Sequence, residues 1–376
     1  MKKYLWIFIA VLAFSSLLFA LNLKGTELKL ILEQTRAKNL SLLEAKYWQS
    51  IGKGIVQCGL CPRRCVIADG QRGACGVRLN HKGKLFVLTY GKVIALHNDP
   101  IEKKPFAHFL PGSYSLSLAT AGCNLRCLFC QNWQISQAAP EEAQTMALDP
   151  QKIVKTAQEY KIGSIAYTYT EPTIFYEFMY DTAKLARKAG LKNVYHSCGY
   201  IHPEPLKALL KYMDAANIDL KGFTEEFYQQ YCSGSLQPVL DSLQVIKKSG
   251  VWLEITHLVI PNKNDDPEIF RKMCQWIKAN LGADVPLHLS AFHPAYLMQD
   301  TPPTSVETLE KFYGIAKETG LNYVYIGNVY GNTKESTFCP QCKKLLIKRS
   351  GYEITENNIV GGKCKYCGYK IAGVWK

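Results

Sequence analysis

The cysteines are the side chains of this 376-residue sequence that are best placed to do chemistry, because most of the 14 fall into three groups. The groups are Cys58, Cys61, Cys65 and Cys75; Cys123, Cys127 and Cys130; and Cys339, Cys342, Cys364 and Cys367. Two cysteines two or three residues apart make a poor disulfide but chelate a metal readily. Since metal ligands are thiolates, the pattern predicts reduced thiols and a reducing compartment.

The middle group has the spacing C-x3-C-x2-C and directly follows a β-rich run at 114–120. Three thiolates hold three irons of a [4Fe–4S] cluster and leave the fourth iron open. S-adenosylmethionine (SAM) can chelate that iron through its amino and carboxylate groups, and one electron then breaks its carbon–sulfur bond. The alternative is a zinc site, but zinc usually takes paired C-x2-C knuckles and a fourth ligand. The triplet therefore predicts an open iron–sulfur cluster that cleaves SAM.

The two outer groups each supply four thiolates. The N-terminal group has the spacing C-x2-C-x3-C-x9-C, which suits either zinc or an auxiliary iron–sulfur cluster, with disulfides as the alternative. The C-terminal group consists of two C-x2-C knuckles separated by residues 343–363, the spacing of a zinc ribbon or a rubredoxin-like site. Zinc there would stabilise the fold, whereas iron would make the module a one-electron carrier.

The elements that must position the triplet alternate between strand and helix. The β-rich runs are 114–120, 164–169, 193–197, 216–220, 251–260 and 285–291, with a further candidate at 321–327. Helical candidates between them are 172–189, 203–213, 266–281 and 306–319. This alternation predicts an α/β fold with a parallel sheet, specifically a partial (β/α)6 TIM-type barrel. Active sites of such barrels lie at the carboxyl ends of the strands.

The N-terminus has a different composition. Lys2 and Lys3 precede an apolar run at 4–20, which has the length of a short membrane span or a signal-peptide core. Residues 18–20 make a poor cleavage site, so an uncleaved membrane anchor is favoured over a removed signal. Residues 26–49 follow as a predicted amphipathic helix. Oxygen-sensitive cluster loading favours a cytoplasmic catalytic part, although lysines on both sides of the run leave the orientation open.

The predicted organisation thus has five parts. They are a membrane anchor or signal segment at 1–22, a helical linker at 23–57, a four-cysteine region at 58–112, the barrel at 113–333 and a zinc-ribbon-like module at 334–376. The formal charge of +14 favours anionic partners, such as a membrane surface or an acidic protein, or a solvated basic surface. Nucleic acid is not favoured, because no dense Lys/Arg stripe carries interleaved aromatic residues.

Several longer stretches carry a family resemblance. They are residues 58–65, 99–105, 108–112, 122–132, 167–172, 217–221 and 325–328. With them the chain resembles the radical SAM superfamily, in the branch that contains pyruvate formate-lyase activating enzyme. More closely, it resembles the radical SAM protein of the AmmeMemoRadiSam system, over residues 40–376.

The resemblance implies an activating-enzyme-like oxidoreductase that makes a 5′-deoxyadenosyl radical and abstracts hydrogen from a protein or a small molecule. It also implies a reductant such as ferredoxin or flavodoxin, and Memo-like and other system proteins as partners. Two other classes remain open from the sequence: a non-catalytic metal-binding interaction module, and an electron carrier docked at a membrane.

The resemblance further implies a set of SAM contacts, although it assigns no catalytic side chain. Phe129 is expected beside the adenine. Thr170 and Glu171, where the superfamily has a glycine-rich segment, are expected at the SAM amino group, and Ser197 at the ribose. Cys198 stands where the family commonly has Asn, so no direct polar role carries over to it.

Three further contacts come from later strands. Alternation along the strand puts Asp219 and Lys221 on one face, and in related activating enzymes the lysine matches the SAM carboxylate. His293 is expected at the ribose. Related enzymes carry an arginine near Thr256, and this chain has none there, so that contact does not transfer.

Overall fold

The computed structural model describes residues 40–376. The predicted anchor at 1–22 and most of the predicted helix at 26–49 lie outside these residues. Where that helix prediction reaches described residues it is wrong, because Leu43–Glu44 and Trp48–Gly52 are strands. Both pair with strands of the cysteine-rich region, and this pairing overrides the local helical pattern. Among residues 40–376, no helix is long and apolar enough to cross a membrane.

The N-terminal cysteine-rich region is built from short antiparallel strands. One sheet contains Trp48–Gly52, Ile55–Cys58 and Val66–Ile67, and a second contains Leu43–Glu44, Lys84–Val87 and Arg78–His81. The two-residue strand Lys92–Val93 pairs with Met146–Ala147. Cys58 ends one of these strands, and Cys61, Cys65 and Cys75 lie in the connections between strands.

An eight-stranded sheet forms the centre of the molecule. Its strands are β1 (Ala95–Pro100), β2 (Tyr114–Ala119), β3 (Ser164–Tyr167), β4 (Lys192–Ser197), β5 (Ala215–Asp219), β6 (Trp252–Val259), β7 (Leu287–Ala291) and β8 (Val324–Gly327). The order runs from β8 to β1 in sequence order, with β2 to β8 parallel and β1 antiparallel to β2. The predicted parallel α/β sheet is confirmed, while its closure into a barrel stays a prediction.

Six crossover helices connect the parallel strands. They are α1 (Pro150–Glu159), α2 (Tyr176–Lys188), α3 (Pro203–Leu210), α4 (Gln237–Ser249), α5 (Pro267–Leu281) and α6 (Val306–Thr319). Asp149, Asp266 and Ser305 cap α1, α5 and α6 by accepting backbone N–H bonds. Shorter helical segments are Ile101–Lys103, Trp133–Ser136, Pro172–Phe175, Glu225–Phe227, the π-helix Tyr228–Cys232 and Thr333–Glu335.

The C-terminal module packs against β8 and the segment between β1 and β2. Its strands are Thr337–Phe338, Leu345–Ser350, Glu353–Asn357, Ile359–Val360 and Lys363–Cys364. Leu346 and Ile347 form a buried cluster with Tyr323 and Tyr325. The buried Arg349 guanidinium donates to the carbonyl of Ala107 at 2.7 Å. These contacts join the module to the sheet through both apolar packing and a buried hydrogen bond.

Gly122 is one of the points where the loop after β2 touches the N-terminal region. Its φ is +100°, and a Cβ atom would lie 2.9 Å from the carbonyl oxygen of Cys75 and 2.7 Å from Val77. A side chain there would be strained both by the backbone angle and by the contact with a neighbouring backbone.

Gly122→Ala is therefore expected to lower the free energy of unfolding by about 1–3 kcal/mol. Gly314→Ala is a suitable control, because Gly314 lies inside α6 and its added Cβ would meet nothing within 4 Å. That control should raise stability by about 0.5–1 kcal/mol. Urea unfolding under anaerobic conditions measures both values, and equal effects of the two variants would contradict the close approach at Gly122.

Candidate functional site

The loop after β2 carries Cys123, Cys127 and Cys130, and it is held by backbone hydrogen bonds from two directions. The N–H groups of Arg126 and Leu128 each donate at 2.9 Å to carbonyls of the π-helix Tyr228–Cys232. The Asn124 side-chain amide donates to the Tyr200 carbonyl at 2.8 Å. These contacts fix the loop on the π-helix and on the segment after β4, as a site for a large cofactor requires.

The three thiols open into one cavity of about 950 Å³. The side chains of the other predicted SAM contacts line the same cavity, namely Phe129, Thr170, Glu171, Ser197, Asp219, Lys221 and His293. Burial raises the pKa of Cys123 and Cys130, and a hydrogen bond with Cys232 together with burial raises that of Cys127. Metal loading must therefore displace thiol protons.

Glu171 is fully buried at the end of β3, where its carboxylate caps the helical turn Pro172–Phe175. Oε1 accepts from Thr173 N at 3.0 Å, from Thr173 Oγ1 at 2.6 Å and from Ser197 Oγ at 2.7 Å. Among residues 40–376, Oε2 accepts one hydrogen bond, from Cys198 N at 2.7 Å. A carboxylate oxygen has two lone pairs, so Oε2 retains room for one more donor from the cavity.

Ser197 and Thr170 support this arrangement. The Ser197 hydroxyl donates its proton to Glu171 and accepts from Gly199 N at 3.0 Å. Thr170 donates its hydroxyl proton to the Thr120 carbonyl at 2.8 Å. Because both hydroxyl protons are already donated within the protein, these residues can offer a ligand only an acceptor lone pair or a backbone group.

Asp219 and Lys221 lie together at the end of β5, as alternation along the strand predicts. Lys221 Nζ donates to Asp219 Oδ2 at 2.9 Å, and His196 Nε2 lies 2.8 Å from Asp219 Oδ1. Burial alone would raise the pKa of Asp219, but Lys221 and His196 hold it well below its usual range. Burial alone would lower the pKa of Lys221, but Asp219 and nearby thiols raise it well above. The Lys221 ammonium is therefore charged and positioned to bind an anion in the cavity.

Phe129 and His293 differ in how firmly they are held. Phe129 is buried, and its ring centroid lies 5.8 Å from Lys221 Nζ and 6.1 Å from the ring of Phe227. His293 is exposed, and its Nε2 lies 3.3 Å from the Asn328 carbonyl oxygen. Phe129 is therefore an ordered apolar wall, whereas His293 lies at the open rim of the cavity.

Several cavity residues received no role from the sequence. Lys104 is buried, donates to Asp99 at 2.5 Å and lies over the ring of Tyr169 at 4.2 Å. Burial lowers the pKa of Lys104 to about 8, although Asp99 partly offsets this. His196, which bonds to Asp219, is another of these residues. The stretch at 99–105 was recognised by resemblance, so a signal for Lys104 existed, but only the structure shows which side chains it meets.

The donor set fits the cofactors that the triplet predicts. Glu171, Asp219 and His196 line the cavity but are engaged in hydrogen bonds, whereas the thiols of the triplet, with Cys198 nearby in the same lining, are suited to iron. The cavity also contains the Lys221 cation, the Glu171 oxygen with spare acceptor capacity and the buried Phe129 ring. The carboxylate, amino group and adenine of SAM require such groups.

Comparisons with known proteins point to one superfamily. The profile of the radical SAM superfamily matches residues 117–274. An uncharacterized protein of Methanocaldococcus jannaschii is 47% identical over 330 residues, covering 87% of this chain and 98% of the relative. The chain belongs to the radical SAM superfamily. The pyruvate formate-lyase-activating enzyme of Listeria monocytogenes is 28% identical over 168 residues, covering 42% of this chain and 66% of that enzyme.

A solved domain of the pyruvate-formate lyase-activating enzyme from Bacteroides vulgatus matches with a TM-score of 0.40 at 18% identity, covering 44% of this chain and 99% of that domain. Membership of the radical SAM superfamily makes the chain an enzyme related to the activating enzymes. The narrower assignment to the AmmeMemoRadiSam system stays a prediction.

The C-terminal cysteines of this radical SAM protein form a compact cage. The sulfurs of Cys339, Cys342, Cys364 and Cys367 all lie within 4.8 Å of one another. Cys339 and Cys367 sulfurs are 3.7 Å apart, as are those of Cys342 and Cys364. A tetrahedral ion with bonds of about 2.3 Å places its sulfurs about 3.8 Å apart. The cage therefore fits a single zinc or iron ion.

Cys342→Ser is expected to remove about one metal ion per chain without any loss of acid-labile sulfide. It should also lower the melting temperature, because a structural metal site contributes directly to folding. Elemental analysis and a sulfide assay before and after substitution check this. A parallel loss of sulfide would show that this cage holds a cluster instead.

The N-terminal cysteines lie around a second cavity of the radical SAM protein. Cys58, Cys61, Cys65 and Cys75 all line it, together with the buried Arg78. Burial raises the pKa of Cys75, and burial raises that of Cys61 to about 12. The structure thus brings the four predicted ligands together.

Proposed function

We propose that this radical SAM enzyme cleaves SAM reductively at a [4Fe–4S] cluster bound by Cys123, Cys127 and Cys130. The product radical then abstracts hydrogen from a protein or small-molecule substrate. The observation that carries the proposal is that the three thiols share one cavity with Glu171 and the Asp219–Lys221 pair. A metal site with a purely structural role does not require an adjoining cavity lined by charged groups.

The residues of the chain act on SAM by binding and orienting it. Lys221, kept protonated by Asp219, binds the carboxylate of SAM. Glu171 Oε2 accepts a hydrogen bond from an N–H of the SAM amino group, and Thr170 presents backbone groups beside it. When bound, the cluster supplies the electron that breaks the carbon–sulfur bond to give methionine and the 5′-deoxyadenosyl radical.

Phe129 lies against the adenine, and His293 borders the ribose at the rim. Ser197, which donates to Glu171, acts on the ribose only through its remaining acceptor lone pair. Its main task is then to hold Glu171 in place.

The extent of the cavity, rather than its volume, supports a substrate position beside SAM. Its volume of about 950 Å³ lies within the roughly 300–1,000 Å³ of pockets for one small ligand. The cavity reaches from the cysteine triplet to Arg349 and Tyr352 of the C-terminal module. A substrate can therefore lie between the reacting end of SAM and that module. A one-electron donor such as ferredoxin or flavodoxin is expected, and Memo-like partners stay a prediction.

The test is anaerobic reconstitution of the full chain with iron and sulfide, reduction with dithionite and addition of SAM. Equal amounts of 5′-deoxyadenosine and methionine are expected. Iron-loaded protein that is reduced reversibly but forms neither product would favour the electron-carrier function. Protein that takes up no sulfide at all would favour a metal-binding interaction module.

Lys221→Met tests the carboxylate contact. Loss of a charged hydrogen bond costs about 1.5–3 kcal/mol, so SAM should bind roughly 10–150-fold more weakly. Lys155→Met is the matched control, because Lys155 lies in an exposed pair with Glu159 on α1. Anaerobic calorimetry on cluster-loaded protein measures both affinities. A change below about threefold in Lys221→Met would remove this residue from the SAM site.

A further inference from the structure

We propose that Cys58, Cys61, Cys65 and Cys75 hold a second [4Fe–4S] cluster, directly beside the loop that carries the first. The inference concerns a site separate from the SAM cavity, and it does not depend on SAM cleavage. It rests on the spacing of the sulfurs, the lining of their cavity and the contacts between the two cysteine groups.

The spacing of the sulfurs separates this site from the C-terminal cage. Within residues 40–376, only the C-terminal cysteines bring three or more ligand atoms within 4.8 Å of one another. The N-terminal four line a common cavity, but no three of their sulfurs lie within 4.8 Å of one another, whereas one tetrahedral ion places its four sulfurs about 3.8 Å apart. A cube of four irons and four sulfides separates its thiolates more widely than a single ion does. The arrangement therefore fits a cluster better than zinc.

The lining of the cavity is suited to a bound sulfur cluster. Leu60, Ile67 and Ile174 give the cavity an apolar part, and Arg78 adds a buried cation. Arg78 is 2% exposed and pairs with Glu177, yet its Nε has no hydrogen-bond partner in the described part of the chain. A buried N–H group without an acceptor is costly, and thiolate or sulfide sulfur in the cavity would supply one. Ala74 N already donates to Cys65 Sγ at 3.5 Å.

The two cysteine groups meet at Cys123. On one side of it, Gly122 lies so close to the Cys75 carbonyl oxygen that a side chain at position 122 would clash with it. On the other side, Asn124 lines the N-terminal cavity. Arg126 of the same loop donates to the Ala74 carbonyl at 2.5 Å. Cys123, a ligand of the first site, therefore lies between Gly122 and Asn124, which both contact the second site. Paramagnetic clusters at the two sites would for this reason interact.

The experiment uses the full chain with Cys123→Ala, Cys127→Ala and Cys130→Ala combined, reconstituted anaerobically with iron and sulfide. About four irons in the cluster and four acid-labile sulfides per chain should remain. After reduction, the electron paramagnetic resonance signal should be that of one isolated cluster. Adding Cys61→Ser and Cys65→Ser should remove the sulfide. Zinc in place of iron, or no sulfide in the triple variant, would overturn the proposal.

Wild-type protein supplies an independent measurement if the triple variant does not fold. It should contain about eight labile sulfides per chain, and its reduced signal should be broadened by coupling between two clusters. Four sulfides and an uncoupled signal would overturn the proposal. Failure to form 5′-deoxyadenosine with eight sulfides present would instead count against the proposed SAM chemistry alone, so the two ideas fail separately.

Discussion

Replacing Cys127 with alanine is expected to abolish formation of 5′-deoxyadenosine by the reconstituted enzyme. Cys127 is buried in the loop after β2 and is the middle ligand of the triplet. Two thiolates cannot hold the cluster with one iron open to SAM. Loss of a residue that only hydrogen-bonds a metal ligand typically lowers metal affinity or activity about 10–100-fold. Loss of a ligand itself should therefore lower product formation at least about 100-fold. Product formation per chain, assayed with dithionite as reductant, measures the effect.

Cys274→Ala is the matched control. Cys274 is fully buried in α5, it is a free thiol and it does not belong to the three cysteine groups. Its loss should cost about 1 kcal/mol of stability through the small space left behind, while product formation remains at the wild-type level. Equal loss of activity in both variants would mean that removing any buried thiol damages the protein, and the special role of the triplet would then be wrong.

The arrangement of the parallel strands was predictable because their pattern is local. Runs of β-branched and aromatic residues end at polar positions, and the carboxyl ends of parallel strands meet at one edge. Glu171 and Asp219 could be assigned to a common edge for this reason. The antiparallel edge strand β1 was missed because Ala95–Pro100 contains His97, Asn98 and Asp99 rather than an apolar run. Its pairing with β2 becomes evident only from the register.

The site was predictable in its ligands but not in its hydrogen bonds. The sequence predicts that Ser197 lies at the end of its strand, near SAM. Whether its hydroxyl donates to the ribose or to Glu171 depends on its rotamer, and in the structure it donates to Glu171. His196 and Asp219 are 23 residues apart and meet only because their strands are neighbours. Contacts of this kind depend on strand register and side-chain rotamers, which composition and spacing do not encode.

The second large effect is expected at a buried ion pair between the N-terminal region and α2. Arg78 and Glu177 are 2% and 1% exposed and lie 2.8 Å apart. Glu177 also accepts from the backbone N–H of Lys46 at 2.7 Å. Glu177→Ala would leave a guanidinium buried without its carboxylate, since arginine does not lose its charge. The free energy of unfolding should fall by about 3–5 kcal/mol.

Glu44→Ala provides the comparison, because the Glu44–Lys84 pair joins strands of the same region but both side chains are about half exposed. Solvent screening leaves such pairs worth little, so this variant should stay within about 0.5 kcal/mol of wild type. Anaerobic urea unfolding of both variants in the same metal-loading state gives the difference. The double variant Arg78→Met, Glu177→Leu should recover much of the loss, because it leaves no buried charge. If the double variant is as unstable as Glu177→Ala, the loss arises from packing, and the ion pair does not hold the N-terminal region to α2.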